Sequence, residues 1–203
     1  MTDSKTTSSA PKFEMDRCKA VPALIGNHED FLIISGLAGT SKDMASLTGD
    51  AANLFAMAGA MGAATAMGLG LALAQSDKRI LVITGDGELM MNVGTLATIA
   101  VLDPSNLSIV CVDNGHYGET GYQKSHTSLG VDIEQMAQGA GLKMTCSIER
   151  EEDIAEGSRL LRETNGTSFV LLRVSIKEPP PVKRLMEPAA SRTRFRTALL
   201  GNT

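Results

Sequence analysis

Two polar residues that could bind a metal ion, Asp86 and Asn114, each follow an apolar segment of the sequence. Asp86 is the middle residue of a Gly-Asp-Gly triplet directly after residues 79–84, and Asn114 comes shortly after residues 107–112. The interval between the two segments fits a strand, a helix and a second parallel strand. Both side chains are then expected at the carboxyl ends of parallel strands, the edge at which open α/β sheets bind ligands. A carboxylate and an amide oxygen together suit a hard divalent cation such as Mg²⁺.

The same triplet has features of a phosphate-binding turn. Gly85 and Gly87 lack side chains, so the backbone can come close to a phosphate group. A helix that starts near Glu88 would offer unpaired N–H groups to that phosphate. The alternative is two ordinary strand–helix turns, because Gly-Asp-Gly alone is a common turn. Its position after a strand, with Asn114 at this interval, favours a combined metal and phosphate site.

Apolar segments alternate with helical segments along the chain, a pattern that predicts one doubly wound, mostly parallel α/β sheet flanked by helices. We expect a disordered lead over residues 1–12, a ligand-binding domain over 13–178 and a tail with a short helix over 179–203. Strands are predicted at 31–35, 54–58, 79–84, 107–112, 144–147 and 168–174. Helices are predicted at 13–26, with a break or bend at Pro22, and at 42–47, 61–74, 88–101, 132–140, 149–163 and 192–200. Residues 114–131 are predicted to be a long loop, too polar to belong to the core.

The composition excludes several classes of protein. A formal net charge of −4 gives no sign of a nucleic-acid-binding surface, and the absence of Trp disfavours a base-stacking platform. Cys18, Cys111 and Cys146 show neither a disulfide framework nor zinc-binding spacing. Cys111 lies in an apolar strand and is expected to be a buried small side chain rather than a catalytic thiol. The N-terminal residues lack the apolar stretch of a secretory signal, so we expect a cytoplasmic protein.

Residues 51–74 carry no charge and reach the length of a membrane span. Asn53 and the glycine-containing break at 59–62 divide this stretch into a strand and a buried helix, and the strand–helix pattern continues on both sides. We therefore expect a soluble fold rather than a membrane helix. Small residues on such a helix also let a neighbouring helix come close, which suits a subunit interface.

The Gly-Asp-Gly triplet, Asn114 and the Gly-His-Tyr-Gly sequence at 115–118 together resemble the diphosphate-binding half-site of thiamine-diphosphate (ThDP) enzymes. The signature of that family is Gly-Asp-Gly followed at a similar interval by Asn-Asn. This chain has Asp113 in place of the first Asn and keeps the second, which is the usual metal ligand. The resemblance implies that Asp86, the Asn114 side chain and the main-chain carbonyl of His116 bind Mg²⁺.

The resemblance also implies a set of residues around the cofactor. The carbonyl of Gly59 would accept a hydrogen bond from the aminopyrimidine ring, and Met61 would wedge beneath the two rings of the cofactor. Taken alone, Met61 is more simply an ordinary core residue, and the Gly-Asp-Gly triplet downstream is what favours the role under the cofactor. Backbone N–H groups of the triplet and of the loop after Asn114 would bind the diphosphate. The full set is Gly59, Met61, Gly85, Asp86, Gly87, Glu88, Asn114, His116, Tyr117, Gly118, Glu119 and Thr120.

ThDP enzymes need a second half-site, in which a glutamate protonates the aminopyrimidine ring. In this family the glutamate comes from a separate pyrimidine-binding domain, and the residues ahead of Arg79 are too few to form one. The resemblance therefore implies half an active site, completed by a partner subunit that supplies the activating glutamate.

Within residues 31–175 the sequence is similar to the β subunits of sulfopyruvate decarboxylases and to the C-terminal domain of phosphonopyruvate decarboxylases. The motifs concerned are Gly-Asp-Gly-x-Leu-Met-Met-Asn-x-Gly at 85–94, Val-Asp-Asn-Gly at 112–115 and Thr-Gly-x-Gln at 120–123. The similarity implies a subunit of a heteromeric ThDP-dependent decarboxylase that acts on a small anionic 2-oxoacid. Three alternatives remain: an acetolactate synthase-like carbon–carbon ligase or lyase, a non-catalytic ThDP-binding subunit, and an oxidoreductase subunit, against which the lack of a Cys-x-x-Cys motif counts.

The loop after Asn114 carries further candidate residues. Glu119 and His126 are candidate acid/base groups that face the substrate, or else polar loop residues that face water. Lys124 either contacts an anionic group of the substrate or is solvated. Tyr122 stands where the family often has a second Gly, and this departure leaves the substrate open. In the tail, Arg192, Arg194 and Arg196 with Phe195 are expected to form a basic helix face or a partner contact.

Overall fold

The structure is a computed structural model that describes residues 13–57, 59–163 and 165–201. The predicted lead over residues 1–12 lies outside these ranges. Six strands form one fully parallel sheet: β1 Leu32–Ser35, β2 Leu54–Ala56, β3 Ile80–Gly85, β4 Leu107–Asp113, β7 Met144–Ile148 and β8 Ser168–Arg173. A small antiparallel hairpin pairs β5 His116–Tyr117 with β6 Gln123–Lys124.

The helices cover both faces of the sheet. They are α1 Arg17–Ile25, α2 Ala38–Thr48, α3 Ala64–Ala74, α4 Asp86–Met90, α5 Thr95–Leu102, α6 Ile133–Ala140, α7 Ile154–Leu160 and α8 Pro188–Leu200. One apolar cluster lies between the sheet and α1, α2 and α7, and the other lies between the sheet and α3, α5, α6 and α8. Along β3, Leu81 and Ile83 point into the first cluster while Ile80 and Val82 point into the second. This alternation explains why the strand is apolar from Ile80 to Ile83, and it confirms the predicted doubly wound fold.

The order of the strands places a crevice at a defined point of the sheet. The order is β2-β1-β3-β4-β8-β7, so the chain leaves β1 toward one edge and β3 toward the other. In doubly wound sheets the carboxyl ends of two such strands frame the ligand crevice. Residues that follow β1 and β3 therefore face each other across this crevice.

Several predicted helix boundaries are wrong. Pro22 does not interrupt α1; the helix continues to Ile25, and the N–H of its C-cap residue Gly26 donates to the Pro22 carbonyl over 2.9 Å. The helix predicted at 42–47 starts earlier, at Ala38. The helix predicted at 88–101 is divided into α4 and α5, and within the intervening turn the Asn92 amide donates to the Gly62 carbonyl over 3.2 Å. The turn that carries Asn92 thereby holds the 59–62 break in place.

The uncharged stretch at 51–74 forms β2 and α3, as predicted. Over the described ranges, no helix combines the length and the apolar character needed to cross a membrane. Helix α3 packs on β3 and β1 through Ala64, Leu69 and Ala72, while Met67 and Leu73 are exposed. The helix is thus buried on one side only.

Two glycines of α3 are expected to respond in opposite ways to replacement by alanine. A Cβ at Gly68 would lie 2.1 Å from Cγ2 of Val82, whereas a Cβ at Gly70 meets no atom within 4 Å. Gly68→Ala should therefore lower the free energy of unfolding by about 1–3 kcal/mol through overpacking. Gly70→Ala should raise it by about 0.5–1 kcal/mol, because alanine loses less backbone entropy in a helix. Urea denaturation of the two variants checks this, and equal effects would contradict the close packing of α3 on β3.

The C-terminal helix docks onto its own chain. Arg194 binds both carboxylate oxygens of Asp50 over 3.0 and 3.2 Å. The ring of Phe195 packs edge-on against Phe55 of β2, with the ring centroids 5.9 Å apart. Arg194 and Phe195 are therefore intrachain contacts, and the prediction of a basic face or a partner contact is wrong for them.

Candidate functional site

A cavity of about 440 Å³ lies at the carboxyl edge of the sheet, where β1, β3 and β4 end. Three chain segments form most of its wall: the start of α2 at 37–40, the Gly-Asp-Gly segment at 85–88, and the segment from Asn114 to Thr120. Of the predicted cofactor-binding residues, the cavity is lined by Met61, Gly85, Asp86, Gly87, Glu88, Asn114, His116, Tyr117, Gly118, Glu119 and Thr120. Gly59 lies outside the lining.

Asp86 is the first residue of α4 and is only 3% exposed. Its Oδ2 accepts a hydrogen bond from the Ser125 hydroxyl and lies 3.4 Å from the Thr127 hydroxyl. Burial raises the pKa of this carboxyl, and the hydroxyl contacts oppose that shift. A carboxylate at this position is thus desolvated, a situation that a divalent cation would relieve.

Asn114 follows β4 and is almost fully buried. Its Oδ1 accepts a hydrogen bond from the His116 N–H over 3.0 Å, and its own carbonyl lies 2.9 Å from Nδ1 of His116. These two contacts fix a tight turn beside Asp86. Within the described ranges, no group of three or more His, Cys, Asp or Glu side chains could hold a metal ion. A cation at this edge would therefore need amide or main-chain oxygens as well as Asp86.

Asp113 is a second buried carboxyl at this edge. Its Oδ1 accepts from the Gly115 N–H over 2.9 Å and from the Thr127 hydroxyl over 2.7 Å, and its Oδ2 accepts from Arg173 over 3.0 Å. Burial, together with the nearby negative charge of Asp86, raises the pKa of Asp113 to about 7. Two carboxyls that both resist ionisation next to each other mark a place where added positive charge is stabilising.

The Glu88 side chain has a role that the sequence did not predict. Its Oε2 accepts hydrogen bonds from the Leu37 N–H and the Thr84 hydroxyl, both over 3.1 Å. Its Oε1 is buried and has no hydrogen-bond partner, and burial raises the pKa of the carboxyl. A Cβ on Gly36 would lie 1.7 Å from Oε2, so Gly36 is what lets the β1 end reach Glu88. The Glu88 carboxyl, in α4, thus connects the loop after β1 to the end of β3.

The glycines of the triplet differ in their surroundings. A Cβ at Gly85 would meet no atom within 4 Å, so the backbone there is open to a ligand. A Cβ at Gly87 would lie 2.3 Å from the Tyr117 ring, so this glycine makes room for a side chain as well.

The 59–62 break contributes two predicted cofactor-binding residues. Gly59 has a φ of +85°, a conformation that residues with side chains disfavour. Met61 is 38% exposed at the cavity wall, which argues against the alternative of an ordinary core residue.

The loop after Asn114 is more ordered than predicted. Glu119 and Thr120 are exposed at the cavity wall. Lys124 and His126 are exposed and lie outside the lining, with Nδ1 of His126 3.4 Å from the Tyr117 hydroxyl. Ser125 and Thr127, by contrast, are buried. The prediction that 114–131 is too polar for the core is therefore wrong at Ser125 and Thr127, whose hydroxyls are paired with carboxylates.

Part of the cavity wall was not predicted, because Arg17 was not singled out and Tyr122 was named only as a departure from the family. Arg17 lines it and forms a buried ion pair with Asp43, with Nε–Oδ1 and Nη2–Oδ2 distances of 3.1 and 2.5 Å. Tyr122 donates a hydrogen bond from its hydroxyl to Glu178, and its φ of +59° is unusual for a residue with a side chain. The glycine-rich turn after β1 is a sequence feature that could have indicated this part of the cavity wall. Cys111 is fully buried, as predicted.

Comparisons with known proteins agree with this geometry. The sequence matches the family described as "Thiamine pyrophosphate enzyme, C-terminal TPP binding domain" over residues 38–172. It is 38% identical over 149 residues to the sulfopyruvate decarboxylase subunit beta of Methanocaldococcus jannaschii, which covers 73% of this chain and 77% of that subunit. It is 31% identical over 145 residues to the phosphonopyruvate decarboxylase of Streptomyces viridochromogenes, but these residues are 71% of this chain and only 36% of that enzyme.

A solved structure shares the fold. The thiamine diphosphate-dependent 4-hydroxybenzoylformate decarboxylase of Rhodococcus jostii RHA1 has a TM-score of 0.67, with 84% of this chain and 34% of that chain covered. At 18% sequence identity this similarity concerns the fold alone. Together with the family match over residues 38–172, these similarities show that the chain belongs to the family of C-terminal thiamine-diphosphate-binding domains of ThDP enzymes.

Proposed function

We propose that this chain is the diphosphate- and Mg²⁺-binding subunit of a heteromeric ThDP-dependent 2-oxoacid decarboxylase. The observation that carries the proposal is that Asp86 and Asn114, both buried, line one cavity at the switch point of the sheet. Relatives named sulfopyruvate decarboxylase and phosphonopyruvate decarboxylase support the decarboxylase assignment.

The residues at the cavity fit the cofactor. Asp86, the Asn114 amide and the His116 main-chain carbonyl would hold Mg²⁺, since hard oxygen ligands are what this cation prefers. The open backbone at Gly85 and the N–H groups of the 118–120 segment would face the diphosphate. Met61 would support the rings from the cavity wall. When bound, ThDP supplies a carbon nucleophile for the keto group of the substrate and an electron sink for the loss of CO₂.

We also propose that a pyrimidine-binding partner subunit supplies the activating glutamate. Met61, Met67 and Met91 are exposed large apolar side chains, and two of them, Met61 and Met91, line the cavity. Exposed apolar groups next to a ligand cavity are typical of interaction surfaces. A partner that covers them would exclude water from the reacting end of the site.

The substrate is proposed to be a small 2-oxoacid with a second anionic group. The names of the two relatives point to a sulfonate or a phosphonate on that substrate. Lys124, His126 and Glu119 remain proposed substrate-facing groups on the outer loop. Arg17 and Lys42, both at the cavity wall, are further cations within the same chain.

The proposal is tested by co-expression with a candidate pyrimidine-domain partner, followed by CO₂ release from a panel of 2-oxoacids. The assembled enzyme should release CO₂ and an aldehyde, fastest from sulfopyruvate or phosphonopyruvate, while this chain alone should be inactive. Pyruvate serves as the control substrate without a second anionic group. Decarboxylation by the purified single chain would contradict the need for a partner, and a ligated carbon–carbon product would favour the acetolactate synthase-like alternative.

A further inference from the structure

Two buried hydroxyls lie in a loop whose neighbouring side chains are exposed. Residues 124–127 alternate between exposed Lys124 and His126 and buried Ser125 and Thr127. Ser125 directly follows the β5–β6 hairpin, and its N–H donates to the Gly115 carbonyl over 2.8 Å. The main chain of the loop is therefore anchored beside Asn114, with both hydroxyls turned inward.

Both hydroxyls contact carboxylates that are distant in sequence. The Ser125 hydroxyl donates to Oδ2 of Asp86 and lies 3.1 Å from the Thr127 hydroxyl. The Thr127 hydroxyl lies 2.7 Å from Oδ1 of Asp113 and 3.4 Å from Oδ2 of Asp86. A threonine has a single hydroxyl proton, and the shorter distance indicates that Thr127 donates it to Asp113. Ser125 is then the main donor to Asp86, and Thr127 holds the two carboxylates and Ser125 together.

We propose that Ser125 and Thr127 are positioning residues that fix the Asp86 carboxylate in the orientation that binds a divalent cation. The inference rests on the proposed function, because it takes Asp86 as a metal ligand. Hydrogen bonds to a charged acceptor are stronger and more directional than neutral ones, and Ser125 donates its bond to one oxygen of Asp86, Oδ2. When a hydrogen bond holds one oxygen of a carboxylate, the other oxygen points in a fixed direction. The side chain then loses little further freedom when the cation binds.

The positioning role is tested by cation affinity. We choose Mn²⁺ as a spectroscopically visible probe and measure its dissociation constant by electron paramagnetic resonance, in the assembled enzyme with saturating ThDP. Ser125→Ala and Thr127→Val should weaken Mn²⁺ binding about 10- to 100-fold, the usual effect of removing a partner that orients a metal ligand. Thr127→Ser keeps a hydroxyl at this position, so it should retain most of the wild-type affinity for Mn²⁺.

Ser128→Ala is the matched control. Ser128 lies in the same loop, but its hydroxyl donates to the main-chain carbonyl of Gly115 and not to a carboxylate, so its loss should leave Mn²⁺ affinity within about twofold of wild type. Melting temperatures of the same samples separate a loss of stability from a loss of affinity. If Thr127→Val does not fold, Ser125→Ala decides, because it removes one oxygen atom only.

The outcomes distinguish this inference from the function on which it rests. Equal Mn²⁺ affinities for wild type, Ser125→Ala and Thr127→Val would overturn the positioning role and leave the proposed function intact. No Mn²⁺ binding by the wild-type assembly in the presence of ThDP would overturn both. Weaker binding that Thr127→Ser does not rescue would also count against the inference, since the hydroxyl would then not be the cause.

Discussion

Replacing Asp86 with alanine is expected to weaken Mg²⁺-dependent binding of ThDP by more than about 100-fold, beyond what loss of an outer-shell group costs. The fold should survive, because the carboxyl is already desolvated and burial raises its pKa. Its removal leaves the Ser125 hydroxyl without its carboxylate partner but takes a poorly solvated charge out of the site. Calorimetric titration of the assembled enzyme with ThDP at saturating Mg²⁺ measures the effect.

Asp132→Ala is the control for this experiment. Asp132 caps α6 by accepting a hydrogen bond from the Gln135 N–H over 3.0 Å. Its loss should cost about 0.5–2 kcal/mol of stability without changing ThDP affinity. A stable Asp86→Ala variant with wild-type ThDP affinity would refute the metal-binding role of Asp86.

Replacing Asp43 with alanine is expected to destabilise the chain by about 3–5 kcal/mol, because it leaves a charged guanidinium buried without a partner. The side chains of Arg17 and Asp43 are 5% and 2% exposed. Burial raises the pKa of Asp43, and the hydrogen bonds and charge of Arg17 only partly oppose this shift. Each charge therefore depends on the other to be stable in this buried position. Urea denaturation of the purified chain gives the difference in free energy of unfolding.

The double variant Arg17→Met, Asp43→Leu tests whether the instability of Asp43→Ala comes from the unpaired charge of Arg17. Apolar replacement of both members of a buried ion pair is often neutral or stabilising, so the double variant should recover most of the loss. Gly39 makes room for the Arg17 guanidinium, since a Cβ there would lie 2.5 Å from it. If the double variant is as unstable as Asp43→Ala, the unpaired charge is not the cause of the instability.

The sequence patterns predicted those parts of the site that depend on short segments of the chain. The Gly-Asp-Gly triplet and Asn114 each follow an apolar strand, and parallel strands bring their carboxyl ends to one edge. Their proximity in the fold therefore follows from strand boundaries alone. The sheet was predictable for the same reason, since its central strands are mostly apolar and lie between helices.

The remaining features depend on contacts between residues far apart in the sequence. Ser125 and Thr127 look like ordinary loop residues until the fold brings Asp86 and Asp113 beside them. The role of the Glu88 side chain likewise becomes visible only when Leu37 and Thr84 are seen to donate to it. Burial of a polar group is decided by its partner, and a one-dimensional pattern contains no information about that partner.

The concentration of carboxyl groups at one edge has a thermodynamic consequence. Asp86, Glu88 and Asp113 are all buried there, with Arg173 paired to the last of them. Such an edge repels a free diphosphate anion and attracts a divalent cation. Binding of the proposed Mg²⁺ would change the local charge in favour of the anion, and each ligand would then raise the affinity for the other by the same factor. The acidity of the apo site would thus make it respond to the magnesium complex of the cofactor rather than to either component alone.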